Sequence, residues 1–334
     1  MGSLGAGEGG RRKKKRSPRG SLCTTFLDQY SLPGEPLGRG SHGIVETCVN
    51  VFTKEQFAVK VIRKVAGVFQ RAKVLREIEL YHLCRGEDSI VQLVEYFEEP
   101  DAFYLVFEKM AGGPLLAHLQ RRGSLTEEEA AAITSTLATA ITHLHALGVA
   151  HRDIKPENVL CVSTKSPWPV KLCDFDLCSS PGSAEEMASP VGSLEFMAPE
   201  VVDTFVLCQE DEDLSLSYTR ACDLWSLGVL LYLLLSGLPP WCGACSAPSC
   251  AWEGGGECSS CRRHLLAAIS CHPLTFPRSR WLGVSPSARH LVATLLERDA
   301  AARATAAQVA AHPWLTGAQG ARGPAREAGM RAIG

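Results

Sequence analysis

The feature that most constrains this chain is a short polar segment, His-Arg-Asp-Ile-Lys-Pro-Glu-Asn, at positions 151–158. It follows an Ala-rich helical pattern that stops at Gly148 and comes before a short strand-like run, so it is predicted to be a loop. The loop carries a carboxylate that can accept a proton, a lysine that can reach phosphate oxygens and an amide that can bind Mg²⁺. Asp153, Lys155 and Asn158 are therefore the first candidate site residues.

A glycine-rich segment lies earlier in the chain and matches the pattern G-x-G-x-x-G-x-V. Its residues are Leu37, Gly38, Arg39, Gly40, Ser41, His42, Gly43, Ile44 and Val45. Glycines allow a tight turn that brings the backbone close to phosphate groups. A dinucleotide-binding turn would need a helix directly afterwards, whereas residues 46–51 alternate as a second strand does. The segment therefore predicts a β-hairpin over a phosphate site.

Two charged residues follow this hairpin at positions that suit a phosphate site. Lys60 ends a β-branched run, and its place after a glycine hairpin favours phosphate binding over a plain surface role. Glu77 lies in a helical stretch predicted over 71–83 and is the natural ion-pair partner of Lys60. Glu79 is the weaker candidate, because only one of the two glutamates can face the sheet.

The part of the chain after a Gly-Gly-Pro hinge at 112–114 is predicted to be mainly helical, starting with a capping box at 126–129. A short strand-like run delivers Asp174, which opens an Asp-Phe-Asp triplet. An Ala-Pro-Glu motif ends at Glu200. Arg303, near the end, is predicted to form a buried ion pair with Glu200.

The composition is that of an ordinary soluble globular protein, with 334 residues, a net charge of −2 and 46% hydrophobic residues. The chain shows no secretory signal, and its longest apolar run, at 227–235, is too short to span a bilayer and is predicted to be a buried helix. Fourteen cysteines without such a signal favour a reducing compartment. We expect a cytoplasmic protein that contacts neither membrane nor nucleic acid directly. The basic run at 11–16 keeps the nucleus open as a second location.

Together these motifs occur in the fixed order of the protein-kinase signature, and over about residues 30–315 the chain resembles eukaryotic protein kinases. Lys-Pro-Glu at 155–157 resembles the serine/threonine type, and the ending at 310–314 is similar to the calmodulin-dependent group. Asp-Phe-Asp at 174–176, where Asp-Phe-Gly is usual, resembles the MAP-kinase-interacting kinases (the MNK family).

The resemblance implies an α+β, two-lobed protein-kinase fold. A small antiparallel β-sheet lobe with one regulatory helix would span residues 30–110. A larger, mainly α-helical lobe would span 111–315 and include a cysteine-rich insert at 242–261. The basic tail at 1–29 and the tail at 316–334 are expected to be disordered.

The same resemblance implies an enzyme that uses ATP and Mg²⁺ to phosphorylate serine or threonine. Its catalytic residues would be Asp153, Lys155, Lys60 and Glu77, with Asp153 as the base. Asn158 and Asp174 would bind Mg²⁺. The nucleotide would contact the glycine-rich segment together with Lys60, Phe107, Glu108, Met110 and Glu157.

The resemblance also implies partners. Kinases of this family are activated by MAP kinases and phosphorylate the cap-binding translation initiation factor 4E. They bind the scaffold initiation factor 4G through a basic N-terminal tail, which residues 11–16 resemble. The segment 176–198 is shorter than the family's and keeps Ser180 and Ser189 as its proline-directed sites. We hypothesise that phosphorylation of Ser189 orders this segment against Arg152.

Asp176 stands where glycine is usual. Aspartate is more restricted than glycine at positive φ, by on the order of 1 kcal/mol, and its carboxylate can make local hydrogen bonds. We hypothesise that it biases the resting loop towards an arrangement with Phe175 turned outward and Asp174 away from the metal. A harmless substitution is the alternative.

The insert has five cysteines within twenty residues: Cys242, Cys245, Cys250, Cys258 and Cys261. The spacing of the last two lets two thiolates bind one tetrahedral Zn²⁺, and a metal would stabilise a loop that has little apolar material. Surface thiols and a disulfide are the alternatives. The predicted zinc ligands are Cys245, Cys250, Cys258 and Cys261. The resemblance points most firmly to Cys245, Cys258 and Cys261, with Cys242 or His264 as substitutes for Cys250.

Two other functions stay open. The chain could be a catalytically weak or pseudokinase scaffold of the translation machinery, which the short segment at 176–198 and Asp176 favour and the intact catalytic positions disfavour. It could also be a calmodulin-dependent-type kinase with another substrate. Comparing initiation factor 4E with generic basic peptides as substrates separates this last possibility from the main interpretation.

Overall fold

The structure is a computed structural model that describes residues 25–34, 36–40, 43–179, 187, 191–210, 218–243 and 258–320. Over these residues the chain forms the expected two lobes, a β-sheet lobe and a mainly helical lobe. Several sequence predictions concern residues outside the described ranges, namely the basic run at 11–16, Ser41, His42, Ser180, Ser189, Cys245 and Cys250. The side chain of Arg39 is also not described.

The small lobe is built on an antiparallel sheet with six strands in the described part of the chain. They are β1 (Tyr30–Ser31), β2 (Pro36–Gly40), β3 (Gly43–Asn50), β4 (Gln56–Arg63), β5 (Leu93–Glu98) and β6 (Ala102–Glu108). The order is β1-β3-β4-β6-β5, and β2 also pairs with β3. β2 and β3 form the predicted glycine hairpin, in which Gly40 pairs with Gly43.

Alternation along β4 divides the small lobe into two hydrophobic layers. Val59 and Val61 face an outer cluster, whereas Ile62 packs into the main core. The outer cluster also contains Phe26, from the short helix α1 (Phe26–Gln29), which is fully buried and stacks on Tyr104 with ring centroids 4.4 Å apart. The packed lobe thus begins before Tyr30, where sequence patterns placed its start.

Helix α2 (Arg71–Leu83) has the bounds that the sequence predicted. Its buried residues include Val74, Ile78 and Tyr81, which join the main core. Residues four apart lie on one face of a helix, so Glu77 and Tyr81 face the same neighbours. This face reaches the cleft between the lobes, where both residues line a cavity.

The large lobe is mainly helical. Its helices are α3 (Leu115–Arg122), α4 (Glu127–Ala146), α5 (Pro199–Glu210), α6 (Cys222–Ser236), α7 (Ser259–Cys271), α8 (Arg278–Trp281), α9 (Pro286–Leu295), α10 (Ala306–Ala310) and α11 (Pro313–Gly320). Short strands β7 (Gly113–Pro114), β8 (Val159–Ser163) and β9 (Ser166–Leu172) flank the cleft. The predicted capping box opens α4, because Thr126 Oγ1 accepts from Glu129 N at 3.3 Å and Thr126 N donates to Glu129 Oε2 at 3.1 Å.

Helix α6 is buried along almost its whole length, which explains why its sequence is apolar on every side. Gly228 is needed for its close packing against α9. A Cβ atom at this position would lie only 2.7 Å from the Cβ atom of Leu295. Helices approach this closely only where a glycine removes the side chain.

Two partly buried carboxylates link distant parts of the large lobe. Glu200 accepts two hydrogen bonds from Arg303, at 2.6 and 2.8 Å, so the predicted ion pair is confirmed. Glu127, at the start of α4, accepts from the backbone and hydroxyl of Ser285 and from the indole of Trp314. No helix in the described ranges has the length and apolar character needed to cross a membrane.

Candidate active site

A cavity of about 370 Å³ opens between the two lobes. The glycine hairpin forms one side of it through Leu37, Gly38 and Val45. Other lining residues come from β4, α2, the end of β6 and the residue shortly after it, the polar loop and the residue that opens the Asp-Phe-Asp triplet. They are Lys60, Glu77, Phe107, Glu108, Met110, Glu157, Asn158 and Asp174. Residues far apart in sequence thus meet here as predicted.

Lys60 is the centre of the charge arrangement in this cavity. Its Nζ atom lies 2.8 Å from Glu77 Oε1 and 3.2 Å from Asp174 Oδ1. Burial alone would lower the pKa of Lys60, but Glu77 and Asp174 together raise it above its ordinary value. Burial would likewise raise the pKa of Asp174, and Lys60 brings it below the ordinary value. The lysine therefore stays positive and Asp174 stays negative at neutral pH. Glu79 is exposed and is excluded as the partner.

Both oxygens of the Asp153 carboxylate are held by hydrogen bonds. Oδ2 accepts from Asn158 Nδ2 at 2.9 Å and lies 2.8 Å from Lys155 Nζ. Oδ1 accepts from the backbone N–H and the hydroxyl of Ser193, at 3.0 and 2.9 Å. Lys155 also donates to the Ser193 hydroxyl at 2.8 Å. Sequence analysis missed Ser193, and its place five residues before Ala198 is the signal that could have pointed to it.

Asp223 lies fully buried at the start of α6 and holds the backbone of the loop at 151–158. It accepts hydrogen bonds from the backbone N–H groups of His151 and Arg152, at 2.9 and 2.8 Å, and His145 Nε2 lies 2.9 Å away. Burial raises the pKa of Asp223, but the hydrogen bond from His145 and its charge bring it below the ordinary value. Arg152 adopts φ of 67°, a left-handed conformation that this anchoring stabilises. Sequence analysis assigned no functional role to Asp223.

Asn158 and Asp174 fit the chemistry of a Mg²⁺ site. Asn158 uses its amide nitrogen to donate to Asp153, which leaves its amide oxygen as the group that can bind a cation. Asp174 presents a partly exposed carboxylate to the same cavity. Mg²⁺ prefers such oxygen ligands and keeps several waters.

Comparison with known proteins agrees with this geometry. The family model for the protein kinase domain matches residues 32–315. The chain is 44% identical to MAP kinase-interacting serine/threonine-protein kinase 2 of Xenopus laevis, an alignment that covers 92% of this chain and 66% of the relative. It is 43% identical to MAP kinase-interacting serine/threonine-protein kinase 1 of Xenopus tropicalis, covering 95% and 76%. It is 42% identical to the Caenorhabditis elegans member, covering 92% and 45%. This chain belongs to the MAP kinase-interacting serine/threonine protein kinases.

In this MAP kinase-interacting kinase, the Asp-Phe-Asp triplet does not have the arrangement hypothesised from the sequence. Phe175 is turned inward, is 1% exposed and stacks on Tyr81 with ring centroids 4.4 Å apart. The Tyr81 hydroxyl also accepts a hydrogen bond from Asp174 N at 3.0 Å. Asp174, and not Asp176, has positive φ, at 66°, so the expected cost of aspartate at position 176 does not arise. Asp176 instead forms an ion pair with Lys73, at 3.3 Å.

In this kinase, the three residues predicted to contact adenine differ in how well their positions suit that role. Phe107 is buried beside Tyr81 at the back of the cavity. The backbone N–H of Glu108 is already used, because it donates to the carbonyl of Gln92 at 3.1 Å, and its carboxylate pairs with Lys171. Glu108 and Met110 both line the cavity, but the backbone N–H of Glu108 is not available to adenine, so backbone donation to adenine stays a prediction for Met110.

Within the glycine hairpin, Ile44 is not at the nucleotide cavity. Strand alternation places Val45 towards this cavity, whereas Ile44 is 38% exposed and lines a separate cavity with Gly43. Gly43 is required by packing, since a Cβ atom there would lie 2.4 Å from the carbonyl oxygen of Val61. The structure thus places Leu37, Gly38 and Val45 at this cavity, and contact of the whole nine-residue segment with a nucleotide stays a prediction.

Of the predicted zinc ligands, Cys258 and Cys261 lie in the described part of the kinase. Cys258 is the N-cap of α7, and its Sγ atom accepts from Cys261 N at 3.5 Å. Cys261 is buried, and the described cysteines form no disulfide with one another. Among the described residues no cluster of three or more metal-ligating side chains occurs. Cys242 is exposed.

Proposed function

We propose that this chain transfers the γ-phosphoryl group of ATP to a serine or threonine hydroxyl of a protein. The observation that carries the proposal is the carboxylate of Asp153, held by Lys155, Asn158 and Ser193 beside the cavity that contains Lys60. A carboxylate oriented in this way is suited to accept the proton of an attacking hydroxyl.

The remaining polar groups divide the work of phosphoryl transfer. Lys60, kept in place by Glu77, would bind phosphate oxygens, and Lys155 would contact the transferring group. Asn158 and Asp174 would hold Mg²⁺, which neutralises charge on the phosphates when it is bound. Because the lobes bring these groups together before any ligand arrives, little reorganisation would be needed during the reaction.

Our first experiment measures phosphate transfer from ATP-Mg²⁺ to initiation factor 4E, with and without prior treatment by a MAP kinase. Asp153→Asn keeps the shape of the loop and serves as the blank, and we expect transfer to fall by at least about 10²-fold. Transfer that depends on the treatment supports a regulated kinase. No transfer in either state, with ATP binding intact, favours the scaffold function instead.

We propose initiation factor 4E as the substrate, a MAP kinase as the activator and initiation factor 4G as the scaffold bound by residues 11–16. Support comes from the basic composition of that run and from the names of the relatives, which state interaction with MAP kinases. Removing the charge of the run should abolish capture of initiation factor 4G while leaving peptide phosphorylation unchanged. We expect the protein in the cytoplasm, with the nucleus as a second location.

Phosphorylation of Ser189 is proposed to order the segment after Asp176 through Arg152. The guanidinium of Arg152 donates to the carbonyl of Leu177 at 2.6 Å and to the Tyr218 hydroxyl at 3.5 Å, so it already connects parts of this region. We expect Ser189→Ala to remove the response to MAP kinase. An unchanged response in this variant would contradict the role of Ser189.

We also propose a structural Zn²⁺ held by Cys245, Cys250, Cys258 and Cys261. The support is the position of Cys258 and Cys261, which lie together at the start of α7 with an N–H···S contact of 3.5 Å. Elemental analysis should find about one zinc per chain. Cys261→Ser should lose it, whereas Cys271→Ser, at the exposed end of the same helix, should retain it. Equal zinc content in both variants would reject these ligands.

A further inference from the structure

Two histidines of the large lobe, distant in sequence, meet through their ring nitrogens. His290 lies in α9 and His312 directly precedes α11, and Nδ1 of His290 is 2.9 Å from Nε2 of His312. The ring planes are 21° apart and the ring centroids are separated by 5.2 Å. His290 is exposed and His312 is partly buried. Neither ring lines the cavity between the lobes, so the proposed phosphoryl transfer does not use this pair.

The backbone determines which nitrogen of His312 carries its hydrogen. Nδ1 of this ring lies 3.2 Å from the backbone N of Trp314, and a backbone N–H can only donate, so Nδ1 is the acceptor. A neutral imidazole with an accepting Nδ1 has its hydrogen on Nε2, which therefore donates to Nδ1 of His290. His290 then carries its own hydrogen on Nε2. Both rings are neutral in this arrangement, and both acceptor nitrogens are in use.

An added proton therefore finds no free nitrogen in the pair. On Nδ1 of His312 it would break the hydrogen bond from Trp314, and on Nδ1 of His290 it would break the hydrogen bond between the rings. Burial lowers the pKa of His312, and a charge on His290 would lower it further. The folded arrangement thus favours the neutral pair, and acid acts against it.

The elements packed against the pair supply little opposite charge. The residues of α10 and α11 are uncharged, and on α9 the guanidinium of Arg289 donates to a backbone carbonyl of α8. On α4, Glu127 is occupied by Ser285 and Trp314, and Glu128 is exposed. The other titratable residues of α4 pair elsewhere, namely Glu129 with Arg122, His143 with Glu87 and His145 with Asp223.

His312 also builds the start of α11. Its carbonyl accepts from the backbone N–H groups of Leu315 and Thr316, at 2.9 and 3.1 Å, and its ring accepts from that of Trp314. Trp314 and Leu315 are buried, and the indole of Trp314 donates to Glu127 in α4 at 2.8 Å. The ring of His312 thus connects the first turn of α11 to α9, and that turn holds an anchor of the large lobe.

We propose that His290 and His312 form an acid-sensitive latch, which fastens the first turn of α11 to α9 while both rings are neutral and releases it when the pair takes up a proton. Because the folded pKa of His312 is lowered, the stabilisation is complete above the unfolded pKa of about 6.5. It is lost progressively as the pH falls from there towards the folded pKa. The latch goes beyond phosphoryl transfer and does not depend on it.

The test measures backbone hydrogen exchange of Leu315 and Thr316 in the full chain at pH 7.5 and pH 5.5. Rates are expressed as protection factors, which remove the intrinsic effect of pH on exchange. His312→Asn is the main variant, because the asparagine oxygen can still accept from Trp314 but takes up no proton. His272→Asn is the matched control, since His272 is exposed and its ring makes no hydrogen bond within the described residues.

We expect the wild-type protection factors to fall about tenfold between pH 7.5 and pH 5.5, because a histidine with a pKa of about 6.5 is mostly protonated at the lower pH. They should change less than about twofold in His312→Asn. His290→Ala removes the acceptor of the ring hydrogen bond and should lower protection about threefold already at pH 7.5. His272→Asn should behave as the wild type.

Two results of the exchange experiment would overturn the proposal. Protection that does not change with pH in the wild type would mean that the pair accepts a proton without opening α11. A wild-type response in His312→Asn would assign the response to other groups. A third measurement needs no variant: ring ¹⁵N shifts of the wild type at pH 7.5 should place the hydrogen of His312 on Nε2. A hydrogen on Nδ1 would contradict the arrangement on which the latch depends.

Discussion

Ser193 binds one oxygen of the Asp153 carboxylate, and Lys155 and Asn158 bind the other. Because both oxygens are held, the carboxylate has a single orientation towards the cleft. The Ser193 hydroxyl also accepts from Lys155, so one small side chain positions both the proposed base and the cation beside it. At the scale of single residues, we expect the catalytic rate to be sensitive to the loss of this hydroxyl.

We predict that Ser193→Ala lowers kcat/KM about tenfold, which corresponds to the loss of one hydrogen bond to a charged group. The fold should be unaffected, since the backbone N–H of residue 193 still donates to Asp153. Ser193→Thr keeps the hydroxyl and is the control. Steady-state phosphorylation of a peptide decides the matter, and wild-type kinetics in the alanine variant would show that the hydroxyl does not orient Asp153.

Sequence reasoning found the site residues that lie in local motifs, such as Lys60, Glu77 and Asn158. It missed Ser193 and Asp223, and it assigned Asp176 an outward bias that the structure does not show. These residues act through partners distant in sequence, such as Lys73 for Asp176. The spacing of residues in a motif predicts which functional groups a loop carries. Which groups they contact depends on how distant parts of the chain pack together.

At the scale of secondary structure, α6 is the element around which the large lobe packs. Its residues are buried almost throughout, so the packing of neighbouring elements limits the size of side chain that each position can hold. The sequence was sufficient to predict this helix, its capped neighbour α4 and the bounds of α2, because their periodicity and end signals are strong. It did not predict that Gly228 is a contact point, since close approach is a property of two helices together.

We predict that Gly228→Ala destabilises the protein by about 1–3 kcal/mol, despite the better helix propensity of alanine. The new Cβ atom would lie 2.7 Å from Leu295 and 2.9 Å from Leu296, so α9 has to move. Urea unfolding measures the effect. Gly283→Ala is the matched control, because nothing lies within 4 Å of its added Cβ atom. Equal stability of the two variants would contradict the packing argument.

At the scale of the whole molecule, Glu127 joins three helices that are distant in sequence. It begins α4, accepts two hydrogen bonds from Ser285 at the start of α9, and accepts one from Trp314 in α11 at 2.8 Å. Burial alone would raise the pKa of Glu127, but these hydrogen bonds bring it below the ordinary value. The charged form is therefore favoured in the folded state.

We predict that Glu127→Gln lowers the melting temperature by about 2–4 °C at pH 7. Because the folded pKa is depressed, the stabilisation is complete above the unfolded pKa of about 4.3 and is lost as the pH falls through the folded pKa. The difference between the variant and the wild type should therefore shrink below about pH 4. Calorimetry across this range, with the exposed Glu128→Gln as control, tests it. A difference that does not change with pH would exclude the carboxylate charge as its cause.

Phe26 stacks on Tyr104, so the folded small lobe begins earlier in the chain than the part that matches the kinase family. The matched family begins at residue 32, yet six residues earlier a fully buried ring covers the outer face of the sheet. A recombinant fragment that begins at the family boundary would lack Phe26 and would expose a hydrophobic surface formed by Tyr104, Phe97 and Val106. Such a fragment would be prone to self-association, and the choice of first codon would decide whether it behaves as a monomer.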